Sequence, residues 1–291
     1  MNSPLHPFEN WLLLNAESMQ VSLFFIVFGI LAIVEIYLPF RGNGTQKSKR
    51  WLTNLGLTML NILLLSALPV TFFTIGLQAM ENGFGLLNTG SLPLWLAITM
   101  TLLLRGFISF FTHFLMHKIP IFWRVHRVHH LDTEMDVSTT VRFHPFEFII
   151  GLVVGVPLVA VFGFSPYVLL LYEVLDAIIT LFSHANIRVP RYLECWLRYL
   201  IVTPDLHRVH HSTYHVETDS NYGAVFPIWD IIFRTFRTKT QEETKEMKLG
   251  LNEVRDRRTT SIVWLIISPF YRFRKQPRQS SRGKASIDQS V

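Results

Sequence analysis

Long apolar runs separated by short polar loops organise this chain. The first, about Val21 to Phe40, is long enough for one helical crossing of a bilayer, which takes about 20 residues. A second covers about Leu52 to Met80 and is interrupted by Pro69, a kink that a membrane helix tolerates. A third, about Leu92 to Phe111, returns the chain. Two shorter runs, Phe148 to Phe162 and Tyr167 to Phe182, are joined by the turn-like GFSP at Gly163 to Pro166. Each is slightly short for a full crossing, which leaves a tilted hairpin and a partly re-entrant pair both open.

Beyond the hairpin, Asn221 to Arg237 alternates apolar, aromatic and basic residues and is expected to lie against the core or the interface. Thr238 to Thr260 is charged and reads as soluble. Ser261 to Phe273 is apolar and aromatic but too short to span, which predicts an interfacial helix. The tail after Arg272 is basic and Ser/Gln-rich, a composition of disorder. Residues 1–17 hold no Lys or Arg, so they lack the basic start of a signal peptide, and the first run reads as a retained anchor. The pattern predicts an all-α, polytopic membrane protein in three parts. These are N-terminal transmembrane helices over 1–101, a central domain over 102–237 that includes the hairpin 148–182, and a charged segment, interfacial helix and tail over 238–291.

Composition sharpens this reading. With 49% hydrophobic and 16% charged residues, and a mean hydropathy of +0.30, the chain is too apolar for an ordinary soluble domain. Its net charge of +6 does not form a stripe interleaved with stacking aromatics, which argues against nucleic acid and for anionic lipid headgroups. The basic residues fall in the loop Arg41 to Trp51, then at Lys118, Arg124 and Arg127, then at Arg188, Arg191 and Arg198. By the positive-inside rule these mark one cytoplasmic side, and Glu81 to Ser91, without a basic residue, marks the other. The expected location is a bacterial inner membrane rather than the endoplasmic reticulum. A single cysteine, Cys195, excludes a disulfide framework and a zinc-ribbon spacing.

Chemistry enters with the histidines. Eight of the 12 fall in three compact clusters: His113 and His117; His126, His129 and His130 in WRVHRVHH from Trp123; and His207, His210 and His211 in DLHRVHH from Asp205. Residues three and four apart are neighbours on a helix, so each cluster is expected to present its rings on one face and to converge on metal. A closed structural zinc needs only four ligands, often with Cys. Eight imidazoles suit two ions, with iron, copper, zinc and nickel all compatible with the donor and iron favoured. All three clusters fall on the basic side, so the expectation is a cytosolic, histidine-lined dinuclear site.

The elements HFLMH, HRVHH and HRVHH, in this order inside an apolar chain, resemble the fatty acid hydroxylase and sterol desaturase superfamily of membrane di-iron oxygenases, over about Leu102 to Phe236. HHLDTEMDVSTTVR from His129, TPDLHRVHH from Thr203 and NYGAVFPIWDIIFRTF from Asn221 are similar to its alkylglycerol monooxygenase branch. The resemblance implies a helical membrane fold, two Fe ions, O2 and an external electron donor, a reduced pterin in that branch. Carried over by position, it implies His113, His117, His126, His129, His130, His207, His210 and His211 as ligands. The superfamily's further His/Asn-x-x-x-His element falls here on Thr180 and His184, which implies His184 as a ninth ligand.

Metal-bound histidines usually donate their other N–H to a carboxylate or carbonyl. Candidates for that supporting role are His144, Asp132, Asp136, Asp176, Asp205 and Asn221. Asp176 stands out, because it lies inside an apolar run at i, i+4, i+8 with Thr180 and His184. Glu35 reads as interfacial or helix-paired, His215 as an exposed loop residue, and His6 as unrelated. The expected activity is O2-dependent hydroxylation of a fatty acyl, alkyl-ether or sterol-like chain, with desaturation on the same site left open. The expected partners are the bilayer, a membrane lipid and an electron-donor protein or small molecule, with no nucleic acid. A membrane electron carrier would bind haem through histidines inside spanning helices, and contiguous triplets near an interface disfavour that. A metal transporter or store would need polar ligands at mid-membrane depth, which these runs largely lack.

Overall fold

Among the described residues the regular elements are all helices, with two isolated bridges, Pro39 to Ile187 and Ser212 to Leu249. The computed structural model describes residues 7–42, 44, 46–68, 70–88 and 92–273, so His6, Pro69 and the tail from residue 274 lie outside them. The helices are α1 (Pro7–Tyr37), α2 (Lys47–Ser66), α3 (Phe72–Asn82), α4 (Leu94–Lys118), α5 (Pro120–His130), α6 (Pro145–Phe162), α7 (Pro166–His184), α8 (Arg191–Leu197), α9 (Pro204–His210), α10 (His215–Thr218), α11 (Ile228–Ile232), α12 (Gln241–Glu246) and α13 (Ile262–Ile267).

Four segments are helical, long and apolar enough to cross a membrane: Leu14–Tyr37 within α1, then α4, α6 and α7. Their outward apolar side chains, such as Ile30, Ile33, Trp95 and Val153, are exposed, as lipid-facing positions are. α6 and α7 run beyond their apolar cores to 18 and 19 residues, which removes the shortfall in length read from the sequence. The run Leu52 to Met80 is not one kinked span: it forms two helices, α2 ending at Ser66 and α3 beginning at Phe72. α2 carries buried Arg50, Asn54 and Asn61, so its inner face is polar and packs on protein rather than lipid.

Proline begins every helix that brings histidine to the centre after α4, and also α6, which brings Glu147. Pro120, Pro145, Pro166 and Pro204 stand in the first turns of α5, α6, α7 and α9, where a missing N–H costs nothing and the fixed φ is already helical. α6 ends on Gly163 at φ 65, a left-handed cap. A Cβ there would lie 2.5 Å from the Phe84 carbonyl oxygen, so the far-side loop closes directly on the α6–α7 turn.

Buried ionic and polar contacts tie the membrane helices to the segment after α5. Arg50 of α2 donates to both carboxylate oxygens of Asp132, at 2.5 and 2.9 Å, and to Asp136 Oδ2 at 2.9 Å. Arg142, fully buried, donates to Asn54, to the Val128 carbonyl of α5 and to the Thr259 carbonyl. Glu35, near the end of α1, accepts from the Val137 and Asn186 backbone N–H groups at 2.7 and 2.6 Å with one oxygen. Its place in an apolar run is thus a structural clasp between α1, the turn after α5 and the end of α7.

The C-terminal part is more integrated than its composition suggests. Leu251, Val254 and Leu265 pack with Leu57, Val128 and Leu131 in one core beneath α5. Arg127 Nη2 donates to the Ser268 and Tyr271 carbonyls, both at 2.6 Å. The segment Ser261 to Phe273 is therefore a cover over α5, with Val263 and Phe270 exposed on its outer side, and not only an interfacial helix. Within the charged stretch Thr238 to Thr260, Gln241 is buried and donates to Asp205.

Candidate metal centre

Nine histidines meet where the ends of α4, α5 and α7 join α9. They form two groups: His113, His117, His126, His130 and His210 in one, His129, His184, His207 and His211 in the other, with the ligand nitrogens of each group within 4.8 Å of one another. The HxxHH motifs do not each serve one group. On α5 the i, i+4 pair His126 and His130 joins the first group and His129 the second. On α9 the pair His207 and His211 joins the second group and His210 the first. At 3.6 residues per turn an i, i+4 pair is offset by about 40°, whereas the residue between lies about 100° from its neighbour. The single-face expectation therefore fails, and each motif bridges both groups. The rings of His130 and His211, one from each, stack at 4.6 Å.

The outward nitrogens fix which inward nitrogens carry lone pairs. His113 Nδ1 lies 2.8 Å from the Tyr222 carbonyl oxygen, His184 Nδ1 2.7 Å from that of Thr180, and His210 Nδ1 2.6 Å from that of Ser220. A carbonyl only accepts, so in these neutral rings Nδ1 bears the hydrogen and Nε2 is left as an acceptor. His126 Nδ1 is held 2.6 Å from Glu147 Oε1, and His117 Nδ1 stands 3.4 Å from Asp219 Oδ1. Burial pushes the His126 imidazole down to about 3 and, with the neighbouring histidines, holds His129, His130, His207, His210 and His211 well below the ordinary range. These rings are neutral at physiological pH.

A cation fits this arrangement. Inward Nε2 atoms face one another at 3.0 Å in His113 and His126, 3.1 Å in His126 and His130, 3.1 Å in His129 and His184, and 3.0 Å in His184 and His207. Two lone pairs at that separation repel. Two nitrogens each about 2.1 Å from one ion, at roughly right angles, are about 3 Å apart. Nε2 of His117 and of His210 are buried with no hydrogen-bond partner, a state otherwise costly for a polar atom.

A cavity of about 340 Å³ reaches from the histidines into the helices that can cross a membrane. His113, His126, His129, His184 and His207 line its head, and Phe72, Ile108, Phe143, Phe148 and Leu152 form apolar walls. Such a space takes an apolar chain and presents it to both groups.

All eight clustered histidines and His184 are thus brought together. The supporting roles fall elsewhere than expected. Asp132 and Asp136 are drawn onto Arg50, Asp205 onto Arg208 and Gln241, and Asn221 onto the Leu206 and Arg237 backbones. His144 caps α6 through the Phe146 N–H and bonds the Ile266 carbonyl. Asp176 lines the cavity without bonding a histidine. The groups that do hold the rings are Glu147 and the carbonyls of Thr180, Ser220 and Tyr222, while Asp219, bonded to Lys118, only approaches His117. Glu147 had a signal, as a lone acid in the first turn of an apolar helix. Asp219 and the carbonyls had none. His215 is exposed, as expected.

Residues 98–235, which contain all nine histidines, match the fatty acid hydroxylase family model. This region belongs to the fatty acid hydroxylase family. Similar proteins include the ornithine lipid hydroxylase OlsE of Rhizobium tropici, 28% identical over 53% of this chain and 46% of that one. Alkylglycerol monooxygenase of Caenorhabditis elegans is 28% identical over 52% of this chain and 29% of its own length. Lathosterol oxidase of Homo sapiens is 24% identical over 62% and 59%. The chain thus spans less than two thirds of each of these relatives. No solved structure matches it. The matched region 98–235 contains both histidine groups and most of the cavity lining, and the helices before it supply Leu65 and Phe72 to the cavity wall.

Proposed function

We propose that the chain is a membrane-bound oxygenase that hydroxylates a lipid with O2 at a pair of iron ions, each held by one histidine group. The observation that carries this reading is the convergence of nine imidazoles, in groups of five and four, at the head of an apolar cavity. Such a metal pair supplies O2 activation, chemistry that no side chain performs. The chain's own residues supply everything else. Carbonyls and Glu147 hold the proton at the outer ring nitrogen and so keep Nε2 free and directed inward on four of the nine rings. Phe143 and Phe148 exclude water beside His129 and orient a chain toward the histidines.

The basic residues around Arg41 to Arg50, Lys118, Arg124 and Arg127 support a cytoplasmic orientation for the histidines. A lipid would then reach the site from within the bilayer, and the electron donor, a reduced pterin or a protein, from the cytosol. The domain limits 1–101, 102–237 and 238–291 go with this proposal. Similarity to an ornithine lipid hydroxylase and an alkylglycerol monooxygenase favours oxygen insertion. Comparative lipid mass spectrometry of cells with and without the intact chain tests it. A product heavier by one oxygen, dependent on O2, supports hydroxylation; one lighter by two hydrogens makes the chain a desaturase.

A further inference from the structure

The cavity wall away from the histidines is not uniformly apolar. Arg105 and Ser109 of α4 and Asp176 and Thr180 of α7 continue, at four-residue steps, the faces that carry His113 and His184. Arg105 lies near the middle of α4, 8% exposed, between the rings of Phe72 and Tyr172 at 4.5 and 4.8 Å. Its Nη1 donates to Ser109 Oγ at 2.7 Å, while its Nε is buried with no partner. Asp176 Oδ1 is also buried with no partner. Among the described residues neither side chain forms an ion pair, although both line the same cavity. An ionisable group at such depth is costly unless something in the cavity satisfies it.

Resting on the oxygenase reading above, we infer that Arg105 and Asp176 together recognise a hydroxyl group on the lipid substrate. An anionic group would accept from Arg105 but face the Asp176 carboxylate. An ammonium would suit Asp176 but face the guanidinium. A hydroxyl accepts and donates at one atom, so it takes a hydrogen bond from Arg105 and gives one to Asp176 without bringing a charge into the membrane. Arg105 and Asp176 each lie eight residues from the histidine on their own helix, which is about 12 Å along the axis. The hydroxyl would therefore be held that far from the carbon presented to the metal groups and would set which carbon is presented. Arg105 and Asp176 are specificity residues in this account and not catalytic ones.

Decan-1-ol, decane and decanoate, compared at equal bilayer content by thermal stabilisation of the full chain in nanodiscs, test this without requiring turnover. The expected result is stabilisation by decan-1-ol and little by decane. In Arg105→Met and Asp176→Leu the apparent affinity for decan-1-ol falls by about tenfold or more, as for a lost hydrogen bond to a charged group. Bound metal and the melting temperature without ligand report whether each variant folds, and the three-ligand comparison on the unaltered chain decides the matter if one does not. Equal stabilisation by decane and decan-1-ol, or stronger stabilisation by decanoate, overturns the inference. Failure of the oxygenase reading shows separately, as absent O2-dependent product while the preference for the alcohol persists.

Discussion

His129 and His130 are adjacent in sequence but serve different groups: His129 Nε2 lies 3.1 Å from His184 Nε2, and His130 Nε2 lies 3.1 Å from His126 Nε2. The second HxxHH motif repeats this division in reverse, so neither metal group can form from one motif alone. The smaller group exists only once α5, α7 and α9 have docked, and the larger group takes its fifth histidine, His210, from α9.

Removing one of these neighbours should not equal removing the other. His130→Ala leaves four nitrogens in the larger group, whereas His129→Ala leaves three in the smaller. Metal analysis of the purified variants is expected to show His129→Ala falling from two ions per chain toward one, with His130→Ala retaining more. His215→Ala, at an exposed position, is expected to retain both.

Glu147 should matter through His126 alone. Losing a carboxylate that orients a metal-bound histidine typically weakens metal binding by about 10–100-fold. Glu147→Leu is expected to do so in a competition titration with a chelator. Glu147→Gln, whose amide oxygen still accepts from Nδ1, is expected to recover most of the loss.

The clusters HFLMH and HRVHH are legible because histidine at i, i+3 and i+4 is conspicuous, whereas His184 is implied only by the resemblance, whose His/Asn-x-x-x-His element falls on Thr180 and His184. Their division between two groups was not legible, since it depends on which neighbours surround α5 and α9. Asp132 and Asp136 looked like partners for the rings by proximity in sequence, but Arg50, from a helix far earlier, claims them. The separation of α2, ending at Ser66, from α3, beginning at Phe72, is not legible, because composition does not distinguish a bent helix from two helices. Likewise Leu265 and Val254 were read as interfacial or soluble because nothing local reveals that α5 needs a cover.

Arg50 should be a stability residue. Burial raises the Asp132 carboxyl, but the guanidiniums of Arg50 and Arg142 outweigh it and hold the group at about 2. Breaking a buried ion pair by deleting one partner costs about 3–5 kcal/mol. Arg50→Met is expected to lower the melting temperature strongly, with the loss visible in detergent even before metal is added.

The metal-free chain should weaken on mild acidification. The buried histidines, with His126 near 3, are depressed below the unfolded value of about 6.5. The unfolded chain therefore binds more protons as pH falls below about 6.5, and folding stability drops progressively from there toward 3. Thermal melts of metal-free protein are expected to show a lower midpoint at pH 5.5 than at pH 7.5, and metal-loaded protein a smaller difference.

The count of metal ions per chain tests the central claim most directly. Protein purified intact and fully loaded is expected to hold two iron ions. A single ion at saturation would contradict the division of nine histidines into two working groups, and zinc in place of iron would contradict the oxygenase reading.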